Sequence, residues 1–125
     1  MSGVLRQAER LQRAAARQGF DWARLADLWP KLAEEMAELR AAAHNRARAE
    51  EELGDLLFMA VNLARHLGVS PQRALRSANA KFRRRYAFVI RHAKRLPPLG
   101  SKRRLEAMEA LWQEAKKKER KKVDR

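Results

Sequence analysis

Residues Lys31–Phe58 read KLAEEMAELRAAAHNRARAEEELGDLLF, and the spacing of the acids within them decides the fold. Two carboxylate clusters, Glu34-Glu35-x-x-Glu38 and Glu51-Glu52-x-x-Asp55, lie on either side of an alanine-rich stretch and a short polar break at His44-Asn45. Residues three or four apart share one face of a helix. Glu35 and Glu38 therefore point together, as do Glu52 and Asp55, with Glu34 and Glu51 one position aside. A two-residue break makes the helices antiparallel neighbours, so as many as six carboxylates converge if they pack. Acids at that density repel unless a positive group sits between them, and hard divalent cations take oxygen ligands of this kind. One cluster alone reads as a solvated helix face. The second does not, because Asp55 runs into Leu56-Leu57-Phe58-Met59-Ala60-Val61, apolar on all sides, as buried helices are. Gly54 costs roughly 1 kcal/mol inside a helix relative to Ala and is expected to admit the close approach of a helix or a ligand. The pattern predicts a magnesium site built from two helices.

Outward from this core, every segment reads as helix. Val4, Leu5, Ala8, Leu11 and Ala15 form a helical stripe closed by Gly19. Asp21 is placed to cap a second helix, and Pro30 should begin the main helix or kink it. That helix continues to about Ala43. The third spans about Ala47 to Leu67 and stops at Gly68. Ser70-Pro71 restarts the chain with a cap and a first-turn proline. The fourth helix carries the basic cluster and ends before Pro97-Pro98. Ser101 caps a last helix with the stripe Leu105, Met108, Leu111-Trp112 and Ala115, followed by a basic tail expected to fray. No strand pattern or internal repeat interrupts this series, so the expected architecture is an all-α bundle of four to five helices. The run Leu56–Ala64 offers more apolar surface than a small bundle covers, which predicts completion by dimerisation.

At 125 residues the chain supports one core with little to spare. Cysteine is absent, which excludes disulfides, thiolate metal sites and a cysteine nucleophile and suits a reducing cytoplasm. No apolar run reaches the ~18–20 residues that span a bilayer, and no signal-peptide pattern opens the chain, so no membrane partner is expected. The net charge of +14 is unevenly spread. Lys31–Asp55 holds four basic and seven acidic residues, whereas Lys81–Arg104 holds ten basic residues and no acid. The final ten residues add seven basic and two acidic. An acidic centre before a basic half suits a polyanion held through a metal on one side and by Lys and Arg on the other. A basic half alone equally suits nonspecific nucleic-acid binding, the alternative reading, disfavoured because unmetallated acids repel phosphate.

Nucleophilic catalysis by the protein is not expected: Cys and Thr are absent, and the four serines sit at the terminus, at caps or in a basic helix. His44, His66 and His92 share no ligand spacing and read as surface or helix-end residues. What remains is metal-assisted hydrolysis, in which bound Mg²⁺ (or Mn²⁺) neutralises phosphate oxygens and lowers the pKa of a water. A carboxylate would orient or deprotonate that water, and Lys and Arg would stabilise the leaving phosphates.

The motif EExxE followed by ExxD, then LLFMAVNLARHLGVSPQRALRSANAKFRRRY over Leu56–Tyr86, closely resembles the MazG nucleoside triphosphate pyrophosphohydrolases. The resemblance runs from GFDW at Gly19 to the Trp112-x-x-x-Lys116 pair, as a single MazG domain. It divides the chain into an N-terminal helix (1–18), a catalytic helical domain (19–116) and a basic tail (117–125). It implies cleavage of nucleoside triphosphates between the α and β phosphates, with Mg²⁺, by a homodimer or dimer of dimers that cleans the nucleotide pool. Carried over by position, Glu35, Glu38, Glu52 and Asp55 would be metal ligands, with Glu34 and Glu51 positioning water or a further metal. Lys31, Asn79, Lys81 and Arg85 align with nucleotide- or phosphate-contacting positions, as do Trp112 and Lys116. Trp112 reads equally as a core aromatic on its stripe. Two departures bear on base selectivity: the connection between the acidic clusters is short for the family, and Arg48 stands where lysine is common, keeping the charge with a different geometry.

Overall fold

The computed structural model describes residues 3–123, with side chains to residue 121. Among them are five α-helices and no strand: α1 Val4–Arg17, α2 Leu28–Ala42, α3 Arg46–His66, α4 Pro71–Arg91 and α5 Lys102–Val123. Short 3₁₀ turns at Leu25–Asp27 and Ala93–Arg95 precede α2 and follow α4. The all-α expectation holds. The local signals explain most boundaries. Gly19 (φ 85°) and Gly68 (φ 71°) adopt the left-handed conformation that ends a helix. At each, the residue after the glycine reaches back, Phe20 N–H to the Ala15 carbonyl at 3.0 Å and Val69 N–H to the Ala64 carbonyl at 2.9 Å. Asn45 caps α3 by accepting from the Arg48 N–H at 3.1 Å, and Ser70 Oγ accepts from the Arg73 N–H at 3.2 Å. Pro30 is the third residue of α2. Its missing N–H falls in the first turn, where no intrahelical partner exists, so α2 starts two residues before the proline and needs no kink.

The chain divides into two compact units, Met1–Leu75 and Arg76–Arg125, with the boundary inside α4. In the N-terminal unit the tight turn at residues 43–45 lays α3 back along α2, and α1 packs against α3. Leu28, Ala42, Met59 and Val61 are its buried apolar residues. Burial of a Leu or Val side chain stabilises by about 1.5–3 kcal/mol each, so these contacts fix how α2 and α3 align. In the C-terminal unit α4 and α5 meet through side chains around buried Phe88, Val89 and Ala115. Phe82 stacks on Tyr86 at 5.7 Å and meets Trp112 at 5.5 Å.

Two expectations change, and a third is not met within this chain alone. Asp21 caps no helix; it is an ion-pair partner in the N-terminal unit. The basic tail is helical through Val123 rather than frayed, as its Lys, Glu and Arg content favours; Asp124 and Arg125 lie outside the described residues. Gly54 meets no close neighbour, since a Cβ built there has nothing within 4 Å. The exposed half of the apolar stretch behaves as its composition suggests, with Leu53, Leu57 and Phe58 each more than two-fifths exposed.

Candidate metal centre

Glu35 on α2 is buried, at 8% exposure, although it is an acid on a short helix. The i, i+3 relation of Glu52 and Asp55 on α3 aims both at it, and one carboxylate oxygen from each of the three lies within 4.8 Å of the others. Glu35 Oε2 and Glu52 Oε2 are buried without a hydrogen-bond partner among the described residues. A buried carboxylate oxygen left unpartnered costs several kcal/mol unless a cation or donor meets it. Among the described residues the one ammonium at hand is Lys31, whose Nζ lies 3.4 Å from Glu34 and 3.5 Å from Glu35. These acids, Glu34 first, hold its pKa above the ordinary lysine value. It compensates the outer oxygen of Glu35 and leaves both Oε2 atoms unmet. Glu38 carries the same crowding: desolvation foremost, then the charges of Glu52 and Glu34, push its carboxyl above the usual range. An all-oxygen donor set of this kind fits a hard divalent cation, Mg²⁺ or Mn²⁺, rather than one that prefers nitrogen or sulfur. Bound there, a cation would give the orphaned oxygens their partner and relieve the repulsion that Glu38 feels.

Of the expected ligands, Glu35, Glu52 and Asp55 converge, and Glu38 stands close enough to Glu52 to be perturbed by it. Glu34 and Glu51 are solvent-facing at the sides, and Arg48 is exposed on the first turn of α3. Asn79, Lys81, Arg85, Trp112 and Lys116 belong to the C-terminal unit. There Asn79 and Lys81 are exposed. Arg85 is engaged by Glu119 at 3.0 Å and lies 5.6 Å over the Trp112 ring.

Sequence reading missed a second feature of the N-terminal unit. Along α3 the residues Glu52, Asp55, Met59 and Asn62 follow one face, and Met59 and Asn62 line an apolar pocket of about 530 Å³. Leu11, Phe20, Trp22, Phe58 and Met59 supply most of its wall. Its polar end is a closed network around Arg65. The guanidinium donates to both Asp21 oxygens, at 3.1 and 2.9 Å, to Gln12 Oε1 at 2.9 Å and to Asn62 Oδ1 at 2.7 Å. Gln12 in turn donates to the Phe58 carbonyl at 2.8 Å. Asp21 is held far below the ordinary carboxylate range, chiefly by its hydrogen bonds from Arg65. The available signal was Gln12 itself, a polar residue seven positions after Leu5 on the apolar stripe of α1, where a polar side chain is tolerated only if bonded.

A model of the MazG nucleotide pyrophosphohydrolase domain matches residues 24–90 of this chain, which include all six acids. The nucleoside triphosphate pyrophosphohydrolase of Escherichia coli (strain K12) is 45% identical over 122 residues, 93% of this chain and 46% of that protein. The nucleoside triphosphate pyrophosphohydrolase/pyrophosphatase MazG of Thermotoga maritima is 38% identical over 113 residues, covering 90% of this chain and 44% of its own length. The chain thus spans about half the length of the curated relatives it matches. Among the described residues no helix is long and apolar enough to cross a membrane.

Proposed function

Because the chain belongs to the MazG nucleotide pyrophosphohydrolase family, we propose that it hydrolyses nucleoside triphosphates between the α and β phosphates, releasing a monophosphate and pyrophosphate. The observation that carries this reading is the convergence of Glu35, Glu52 and Asp55 with two buried, unpartnered carboxylate oxygens. With Glu38 these residues would hold Mg²⁺, which supplies charge neutralisation at phosphate oxygens and a more acidic water. Glu34 and Glu51, outward on either side, would orient that water and take its proton. Lys31 is tethered beside the acids by ion pairs at 3.4 and 3.5 Å, from which its ammonium can turn to a phosphate oxygen. The apolar pocket one helical turn beyond Asp55 would receive the nucleoside. A step from Asp55 to Asn62 is about 10 Å along a helix, comparable with the reach from the phosphates of a nucleotide to its base.

Arg48, Asn79, Lys81, Arg85, Trp112 and Lys116 complete the set of nucleotide contacts carried over from the family resemblance. Arg85 would have to give up Glu119 to meet a phosphate. Exposed Leu53, Leu57 and Phe58 support a homodimer, or a dimer of dimers, closed over α3. The absence of cysteine supports a reducing cytoplasm, where the enzyme would clear the nucleotide pool. The test is a panel of nucleoside triphosphates incubated with Mg²⁺ or with chelator and resolved by chromatography. Metal-dependent monophosphate plus pyrophosphate is expected. Diphosphate plus phosphate would overturn the cleavage position, and no turnover with any nucleotide or metal would overturn the assignment.

A further inference from the structure

The C-terminal unit, Arg76–Arg125, contains eighteen of the basic residues and five of the acidic ones, so it carries +13 of the chain's net +14. Pyrophosphohydrolysis as proposed above engages Lys81, Arg85 and Lys116; of the other fifteen cations Arg84 pairs with Glu119 and Arg104 donates to the Pro97 carbonyl. Burial does not explain them: Arg83, Arg84, Arg91, Lys94, Lys102 and Lys118 are all exposed. Self-repulsion at this density destabilises a compact state, so the charge is a cost to folding unless a polyanion meets it.

The structure gives this charge a shape. Arg84, Phe88 and Arg91 follow one face of α4 at i, i+4 and i+7, and Ala115, Lys118 and Glu119 face them from α5. Together they form a groove whose floor is apolar and whose rims are cationic. Phe88, 8% exposed, fixes two of the cations: Lys118 Nζ stands 4.6 Å from the ring centroid and the Arg91 guanidinium 5.8 Å. Cations resting on a ring face are pre-positioned, so less side-chain freedom is lost when an anion arrives. The single carboxylate of the groove, Glu119, is already neutralised by Arg84 at 3.5 Å and Arg85 at 3.0 Å. An incoming phosphate therefore meets little repulsion.

We infer that the α4–α5 groove binds duplex DNA through its phosphate backbone, an activity separate from the hydrolysis of nucleotides. Charge complementarity selects the occupant. The groove follows residues 84–91 of α4, about 10 Å, which matches roughly three base pairs of duplex and their six phosphates. The groove offers no exposed aromatic on which unpaired bases would stack, as single-strand binders require, and the duplex presents the denser phosphate array.

Fluorescence anisotropy on the full chain tests this, with a labelled random duplex of about 20 base pairs, the matching single strand and anionic phospholipid vesicles as probes. Duplex binding should fall about 10³-fold between about 50 and 200 mM salt if six phosphates are neutralised. Replacing both cations over the ring, Arg91→Ala with Lys118→Ala, should weaken it at least about tenfold and lower the salt slope by about 1.8. The same variant should keep its circular dichroism and its pyrophosphate release, and millimolar Mg-nucleotide should not displace the duplex. No binding at low salt, unchanged affinity in the double variant, equal or tighter binding of the single strand or of vesicles, or displacement by nucleotide would each overturn the inference. Because pyrophosphate release is measured separately, failure of the hydrolase assignment and failure of DNA binding are told apart.

Discussion

Glu35 of α2 and Glu52 of α3 each bury one oxygen, Oε2, with no donor to meet it among the described residues, while one carboxylate oxygen of each, with one of Asp55, stays within 4.8 Å. Folding has brought like charges together, and Lys31 compensates them only in part. Divalent cation should therefore act on stability. With metal at a hundred times its Kd the protein should gain about 2.7 kcal/mol, read as a rise in melting temperature that chelator reverses. In Glu52→Gln, removal of one charge should raise the melting temperature without metal and shrink the response to it. A variant that responds as fully as the parent would disprove the site.

Glu38→Ala and Asp55→Ala should each lower kcat by at least about 10²-fold with helicity retained. Glu51→Ala, on the solvent side, should cost less. Undiminished turnover in the first two would remove them from the mechanism.

Asp21 gives a pH dependence with a definite sign. Its folded pKa is depressed by Arg65, so its contribution is fully present above the unfolded value, about 3.9, and is lost as pH falls from there toward the folded value. Asp21→Asn should cost about 1–2 kcal/mol at pH 7, the side chain being only partly shielded from solvent. In urea denaturation the gap between parent and variant should close as the pH is taken well below 3.9. A gap independent of pH would show that the ion pair does not stabilise the fold.

Filling the pocket should separate nucleoside binding from metal chemistry. Met59→Trp, one turn beyond Asp55, should raise KM for nucleoside triphosphates at least about tenfold while the metal-induced rise in melting temperature persists. If KM is unchanged, the nucleoside lies elsewhere.

Gly54→Ala tests α3 directly. A Cβ there has open space, so the isolated chain should gain up to about 1 kcal/mol of helix propensity. Loss of a dimer in sedimentation, with no gain in stability, would instead place a partner helix against Gly54.

What the sequence revealed follows the range of the interactions involved. Helix ends at Gly19, Gly68, Asn45 and Ser70-Pro71 were legible because each depends on atoms within about one turn. The acid cluster was legible because helical spacing and a two-residue break leave few ways to place Glu35 against Glu52. The bond from Arg65 to Asp21 spans 44 residues, and no local pattern at either end specifies it; Asp21 read as a cap because its neighbours allow one. Gln12 illustrates the same limit. Its neighbour Leu11 is 58% exposed while Gln12 is buried, because two hydrogen bonds to α3 settle which side of α1 faces inward.

The helix α1 lies wholly before the segment that matches the family, residues 24–90, yet Leu11, Gln12 and Ala15 form part of the pocket wall. One wall of the pocket is thus encoded outside the stretch that holds the acids, while Phe58, Met59, Asn62 and Arg65 build the other wall from within it. If the pocket receives the nucleoside as proposed, changes in α1 would reshape which nucleosides fit without touching a single acid, and substrate preference would drift while the reaction stayed the same.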